Sequence, residues 1–237
     1  MRGKIGALIF AIYFLLTVFI VIIFMALFRK KNRSIRKVWG KFQKLFLRYH
    51  LIENGKLDEE AQLLLINHKS MLDIIILEER HPKDIAWVAK KEIGQIPLIG
   101  QILKLPKMIS VDRGNSRSLP KFLKDVEDRV KNGRVVAIFP EGTRSKGDRL
   151  LKFHSGAKII AQKLNLKVQP IVLYDTSAIM NEKTFCVKFG QDVSATYLPV
   201  VDISKQEWFE KTREEMQKIY DREKERFANG YYKKVDA

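Results

Sequence analysis

A chain of 237 residues with a formal net charge of +17 and one cysteine has the length for one well-buried α/β domain plus an appendage. It excludes an internal disulfide, and no Cys/His cluster has the spacing of a zinc site. Eleven Lys or Arg and no acidic residue fall within residues 1–50, which leaves +6 for the other 187; basicity of this kind meets nucleic acid, anionic membrane or phosphorylated small molecules, and the residues between the charges decide among them.

From Ile5 to Phe28 no charge and no proline interrupts the chain. As a helix this stretch is about 36 Å long, enough for a hydrocarbon core of about 30 Å. It is too long for an ordinary signal-peptide core and runs straight into Arg29-Lys30-Lys31 without a small-residue cleavage site, so it reads as a retained membrane segment. The basic cluster Arg29 to Lys37 favours the cytoplasmic side for the rest of the chain. Sequence leaves open whether the segment spans the bilayer or dips into one leaflet. Residues 33–50 then carry Ile35, Val38, Trp39, Phe42, Leu45, Phe46 and Tyr49 at steps of three and four among basic residues. That pattern fits a helix lying in a membrane interface, or one packed on a domain core. Residues 1–52 are therefore read as a membrane-associated two-helix segment, and 53–237 as the domain proper.

Beyond the polar stretch Glu53 to Glu60, apolar runs alternate with helical patterns. Strands are expected at Leu63 to Ile66, Ile85 to Ala89, Met108 to Val111, Val135 to Phe139, Val168 to Tyr174 and Thr184 to Phe189, the last placing Cys186 as a small buried side chain. Helices are expected at Met71 to Arg80, Ser116 to Lys131, Ser155 to Leu164 and Lys205 to Ala228. The fold class is α/β: a mixed, largely buried sheet flanked by helices and preceded by the membrane-associated helices. Pro170 inside its apolar run suggests a strand end or an edge. No Gly-rich nucleotide fingerprint and no nucleic-acid motif is present.

The first expected strand delivers His68 into a turn, and Ser70 with Asp73 three residues on has the form of a capping box. An imidazole fixed by a carboxylate on one ring nitrogen can accept a proton from a hydroxyl on the other. Five helical residues would separate the two side chains by about 140°, so the pairing requires a bend between them. The alternative is a turn histidine beside a capping aspartate. The strand at Val135 ends in Pro140-Glu141-Gly142-Thr143-Arg144-Ser145, where ligands of open α/β sheets bind. Arg144 suits a phosphate, Thr143 can donate a hydroxyl bond and Gly142 admits close backbone approach; the alternative is an exposed turn in which Arg144 pairs with Glu141. Arg113, after the strand at Met108, is a second phosphate candidate. Ile93, Ile96, Leu98, Ile99, Ile102 and Leu105 fit an acyl-chain groove or an ordinary core segment.

Taken in order, Asn67-His68 with Asp73, Ile109 to Arg113, Phe139 to Ser145 and Val168 to Val172 resemble the four blocks of the glycerolipid acyltransferase family, over about residues 60–175. The fourth departs slightly, with Gln169 where a small or apolar residue is common. The resemblance implies acyl transfer from a thioester of acyl carrier protein or coenzyme A to the hydroxyl of 1-acyl-glycerol 3-phosphate, giving phosphatidic acid. It makes His68 the general base and Asp73 its orienting partner, and gives Glu141, Gly142, Thr143, Arg144 and Arg113 the acceptor's phosphate and glycerol. No metal or other cofactor is implied, and the expected partners are the lysolipid, the thioester carrier and the bilayer at the cytoplasmic face of the inner membrane, not nucleic acid. Another acceptor, glycerol 3-phosphate or a different lysophospholipid, stays open, as does a non-catalytic basic membrane-surface protein.

Overall fold

Four consecutive residues, Leu63–Ile66, have no solvent exposure, and the strand they form, β2, has a neighbour on each side. The computed structural model describes residues 4–112, 114, 116–181 and 186–232. In chain order these form α1 (Lys4–Leu27), α2 (Asn32–Leu47), β1 (His50–Gly55), β2, α3 (Leu72–Arg80), β3 (Ile85–Lys90), α4 (Gln101–Lys104) and β4 (Ile109–Val111). There follow α5 (Leu119–Lys131), β5 (Val135–Ile138), α6 (Gly156–Lys163), β6 (Val168–Tyr174), α7 (Thr176–Ile179), the short ribbon β7 (Met180–Asn181) and β8 (Cys186–Val187), β9 (Asp192–Tyr197) and α8 (Trp208–Ala228). Of the strand expected over Thr184 to Phe189, only the β8 part is a described strand, since 184 and 185 lie outside the described residues.

The seven-stranded sheet has the order β1-β9-β6-β2-β5-β3-β4. Its pairs are parallel except β6 with β9. Alternation along each strand feeds two cores. Leu64 and Ile66 join Leu72, Ile75 and Ile76 of α3 and Leu47 of α2 on one face. Leu63 and Leu65 join Phe122 and Val126 of α5, Ile160 of α6 and Trp208 and Met216 of α8 on the other. Each such side chain contributes about 1.5–3 kcal/mol by burial, which explains why the central strands read as unbroken apolar runs.

Pro170 lies well inside the sheet, against the expectation of an end or edge. Its residue pairs with Leu65 of β2, and the β6–β9 ladder starts one residue later, at Ile171 opposite Tyr197. Leu198 N–H donates to the Pro170 carbonyl at 3.0 Å, and the amide of buried Gln169 serves the Leu198 carbonyl at 3.0 Å in place of the N–H that proline lacks. Gln169 also donates to the Lys56 carbonyl and accepts from the Asp58 N–H. The unusual residue of the fourth block thus repairs the ladder beside the proline.

The sheet begins at His50, inside the segment assigned to residues 1–52, because β1 pairs with β9 along its whole length. Helix α2 is not a simple two-faced helix either. It meets α3 through Arg36, Gly40 and Leu47, and a Cβ on Gly40 would stand 3.1 Å from that of Glu79, while buried Gln43 donates to Thr17 of α1 at 3.2 Å. Trp39 and Phe46 turn to α1, where Tyr13 stacks on Phe46 at 3.8 Å and Phe14 meets Trp39 at 5.8 Å. Val38, Phe42 and Leu45 stay exposed. Because α2 is fastened to the domain, α1 runs beside it, burying Ile22 and Met25 and exposing Leu8, Ile12, Leu15, Phe19 and Ile23 on its outer side. The stretch Leu8–Leu27 is the one described helix long and apolar enough to cross a membrane.

Candidate active site

Strands β2 and β5 are parallel neighbours, so the turns after them emerge side by side. The turn after β2 carries His68, and the next helix starts at Leu72, which puts Asp73 in its first turn. Asp73 Oδ2 accepts the N–H of Ser70 at 2.9 Å and that of Lys69 at 2.7 Å, the returning half of the capping box. The same oxygen lies 2.9 Å from His68 Nδ1. The bend that the pairing requires is therefore made by backbone N–H groups gathering on one fully buried carboxylate. The second oxygen, Oδ1, accepts the hydroxyl of buried Thr176 at 2.6 Å. With Nδ1 committed to a carboxylate, the neutral ring carries its proton there and leaves Nε2 as the acceptor.

The face of the imidazole is held as firmly as its edge. Phe139 stacks on it with centroids 3.8 Å apart and planes 13° from parallel, and Trp87 stacks on Phe139 at 5.4 Å. An aromatic face also favours the ring once it carries positive charge.

The turn after β5 is tied to the His68 turn from both sides. Glu141 Oε1 accepts the His68 N–H at 2.9 Å, Oε2 accepts the Leu151 N–H at 2.7 Å, and Ser145 N–H donates to the His68 carbonyl at 3.0 Å. Glu141 is 2% exposed, and burial raises its pKa above the ordinary carboxylate value while the two N–H donors oppose the shift. The family resemblance assigns Glu141 to the acceptor. In the structure each of its oxygens accepts a backbone N–H, so Glu141 braces the loop. Gly142, at φ +73°, turns the chain in a conformation that costs glycine little. Lys69 adds a further strap, its ammonium donating to the Gly147 carbonyl and lying 4.7 Å from the Tyr220 ring of α8.

A cavity of about 810 Å³ opens here, of a size that holds a lipid-sized ligand. His68, Gly142, Thr143, Arg144 and Lys146 line its polar part; Trp87, Val88 and Met108 of the domain and Phe14, Val18, Val21 and Met25 of α1 line the apolar part. The groove expected of residues 93–105 is divided: Ile93, Ile99 and Ile102 face the cavity, whereas Ile96, Leu98 and Leu105 do not. Arg113 lies outside the described residues. His68, Asp73, Glu141, Gly142, Thr143 and Arg144 are brought together. Sequence reasoning missed Thr176, Lys69 and the stacking role of Phe139; Phe139 opens the third block, whereas nothing local marks a threonine 103 residues from its partner.

Residues 47–174 match the family described as Acyltransferase. The chain is 40% identical over 207 residues, 85% of its own length and 86% of the other, to the 1-acyl-sn-glycerol-3-phosphate acyltransferase of Helicobacter pylori strain J99. It is 35% identical to the enzyme of that name from Cocos nucifera, over 58% of this chain and 45% of that one. It is 31% identical to a lyso-ornithine lipid O-acyltransferase of Rhizobium meliloti, over 61% and 51%. In fold it matches the crystal structure of the 1-acyl-sn-glycerophosphate acyltransferase PlsC from Thermotoga maritima, with a TM-score of 0.74, 24% identity and coverage of 94% of this chain and 98% of that one. The chain belongs to the acyltransferase family and is a membrane-associated acyltransferase.

Proposed function

We propose that this acyltransferase moves a fatty acyl group from a thioester of acyl carrier protein or coenzyme A to the free hydroxyl of 1-acyl-sn-glycerol 3-phosphate, making phosphatidic acid for phospholipid synthesis. The observation that carries the reading is the 2.9 Å contact of His68 Nδ1 with Asp73, beside the Gly142–Arg144 loop on one lipid-sized cavity. His68 Nε2 takes the hydroxyl proton as the oxygen attacks the thioester carbonyl. Asp73 and Phe139 steady the imidazolium that results. When the tetrahedral intermediate collapses, the thiolate leaves and recovers that proton. The electrophile arrives already activated, so this transfer needs no metal or organic cofactor and no acyl-enzyme.

Thr143, Arg144 and the backbone at Gly142 are assigned to the acceptor's phosphate and glycerol, with Arg113 beside them. Helix α1 is assigned to one leaflet, its covered side on α2 and the cavity and its outer side in hydrocarbon. The cations of residues 29–37 support a domain on the cytoplasmic side of the inner membrane. The Rhizobium relative's name makes the acceptor headgroup the point to test.

Purified protein is assayed with one thioester donor against 1-acyl-glycerol 3-phosphate, glycerol 3-phosphate, other lysophospholipids and a phosphate-free lysolipid. Turnover is expected with the first and a fall of about 10²–10⁴ in His68→Ala. Arg144→Ala is expected to weaken acceptor use more than donor hydrolysis. Equal rates on phosphate-free acceptors would remove Arg144 from its role, and unchanged turnover in a folded His68→Ala protein would leave a non-catalytic membrane protein.

A further inference from the structure

The segment between β3 and α4 does something the fold alone does not require. Ile93, Ile96 and Leu98 are 39, 45 and 51% exposed within six residues. Leu98 is also at φ +62°, at the centre of a three-residue turn closed by Ile99 N–H on the Pro97 carbonyl at 2.7 Å. A branched apolar residue is disfavoured there, where Gly or Asn is the usual occupant, and it is disfavoured again by facing water. A residue unfavourable on both counts points to something outside the fold.

The turn is closed on itself by backbone bonds. Gly100 N–H bonds the Ile96 carbonyl at 2.8 Å, Gln101 N–H bonds the Leu98 carbonyl at 2.9 Å, and a Cβ on Gly100 would stand 2.4 Å from the Gly94 carbonyl oxygen. Bonds of this kind lower the cost of carrying a turn's backbone out of water. The turn is also continuous with the apolar side of α1: Ile93, Ile99 and Ile102 share the cavity with Val18, Val21 and Met25. Exposed Lys90, Lys104 and Lys107 flank it along the chain, with exposed Glu92 beside Ile93, and Asn32, next to Arg29–Lys31, bonds the Leu105 carbonyl at 3.2 Å. An apolar tip with mainly basic flanks matches an anionic leaflet.

We infer that residues 93–99 form a wedge that inserts into the same leaflet as α1, so that the mouth of the cavity opens into lipid. The inference rests on the assignment of α1 to that leaflet and adds a second, independent point of insertion. It predicts that acceptor held in a bilayer depends on the wedge and acceptor dispersed in water does not.

The test uses the full chain on vesicles of anionic phospholipid, some with bromine on the acyl chains, and two substitutions. Ile96→Trp carries the depth probe, with the parent protein's fluorescence subtracted, and Phe19→Trp on exposed α1 is the control. Quenching of both is expected. Quenching of Phe19→Trp alone overturns the wedge and keeps the assignment of α1; quenching of neither removes both. Leu98→Asn suits the positive φ, so its thermal unfolding in detergent should be no lower than that of the parent. With long-chain acceptor in vesicles its kcat/KM should fall about tenfold, the order expected from losing one buried leucine, with no change on a short-chain, water-dispersed acceptor. Equal rates on both overturn the wedge. A raised KM for a carrier-protein thioester, with the Ile96→Trp probe still in water, assigns the patch to that protein and overturns it as well.

Discussion

At the scale of the residue, the proposed catalytic pair is short-range and the group that completes it is not. His68, Lys69, Ser70 and Asp73 lie within six positions; their spacing makes the returning cap legible in the sequence, whereas the pairing, which a regular helix would oppose, is legible only through the family resemblance. Thr176 reaches Asp73 from the far end of β6, bonding Oδ1 at 2.6 Å in a site with no exposure. A hydrogen bond to a charged group contributes about 1.5–3 kcal/mol. Here it holds the carboxylate in the plane that His68 needs. Thr176→Val should therefore lower kcat by about tenfold with little change in KM for the acceptor, as expected of a group that serves the transition state. Thr176→Ser keeps the hydroxyl and should recover most of the rate. A shift confined to KM, or a serine variant as slow as valine, would make Thr176 a packing residue only.

At the scale of the element, the loop proposed to hold the acceptor is positioned by a helix far along the chain. Gln217 of α8 accepts the Leu150 N–H at 2.7 Å and donates to the Asp148 carbonyl at 3.1 Å, while Lys224 pairs with the Asp148 carboxylate at 2.6 Å. Tyr220 of the same helix lies under Lys69. Helix α8 thus grips residues 147–150 and sets where Gly142 to Lys146 stand. Gln217→Ala should raise KM for the lysolipid about three- to tenfold and leave kcat nearly unchanged, the pattern of lost ground-state binding; steady-state rates at varied acceptor read it directly. Sequence shows that α8 packs on the sheet but not that it holds the loop. The central strands are legible because burial on both faces leaves only apolar side chains. Strand β1, His-Leu-Ile-Glu-Asn-Gly on an edge, and β9, whose Ser194 and Thr196 are buried, lack that signature. Their pairing depends on each other and on β6, a relation no local pattern carries.

At the scale of the whole molecule, the question is what keeps the membrane helices seated on the catalytic layer. Helix α2 places Arg36 in a buried position, where it pairs with Glu78 of α3 and with Asp84 before β3. Glu78 also takes Arg33 at 3.1 Å and the Trp87 indole N–H at 2.8 Å, and Asp84 takes Arg134 at 2.9 Å. Arg36 and Glu78 line the cavity as well, so one cluster both closes its wall and fastens α2. Burying these charges has a desolvation cost comparable with their attraction, so the intact cluster adds little net stability, but breaking it strands a charge. Glu78→Gln should therefore lower stability by about 3–5 kcal/mol. Replacing both partners, Glu78→Leu with Arg36→Met, should recover much of that loss. Asp84 would still have Arg134, and Arg33 would still have the carbonyls of residue 78 and His81, to which it already donates. The buried Trp87 indole N–H is then the neutral group left without its acceptor, and it sets the part of the loss not recovered. Thermal unfolding in detergent compares the three proteins. If the double variant unfolds as early as Glu78→Gln, the cluster is a net source of stability, and the attachment of α1 and α2 rests on its charges rather than on the packing around Gly40 and Leu47.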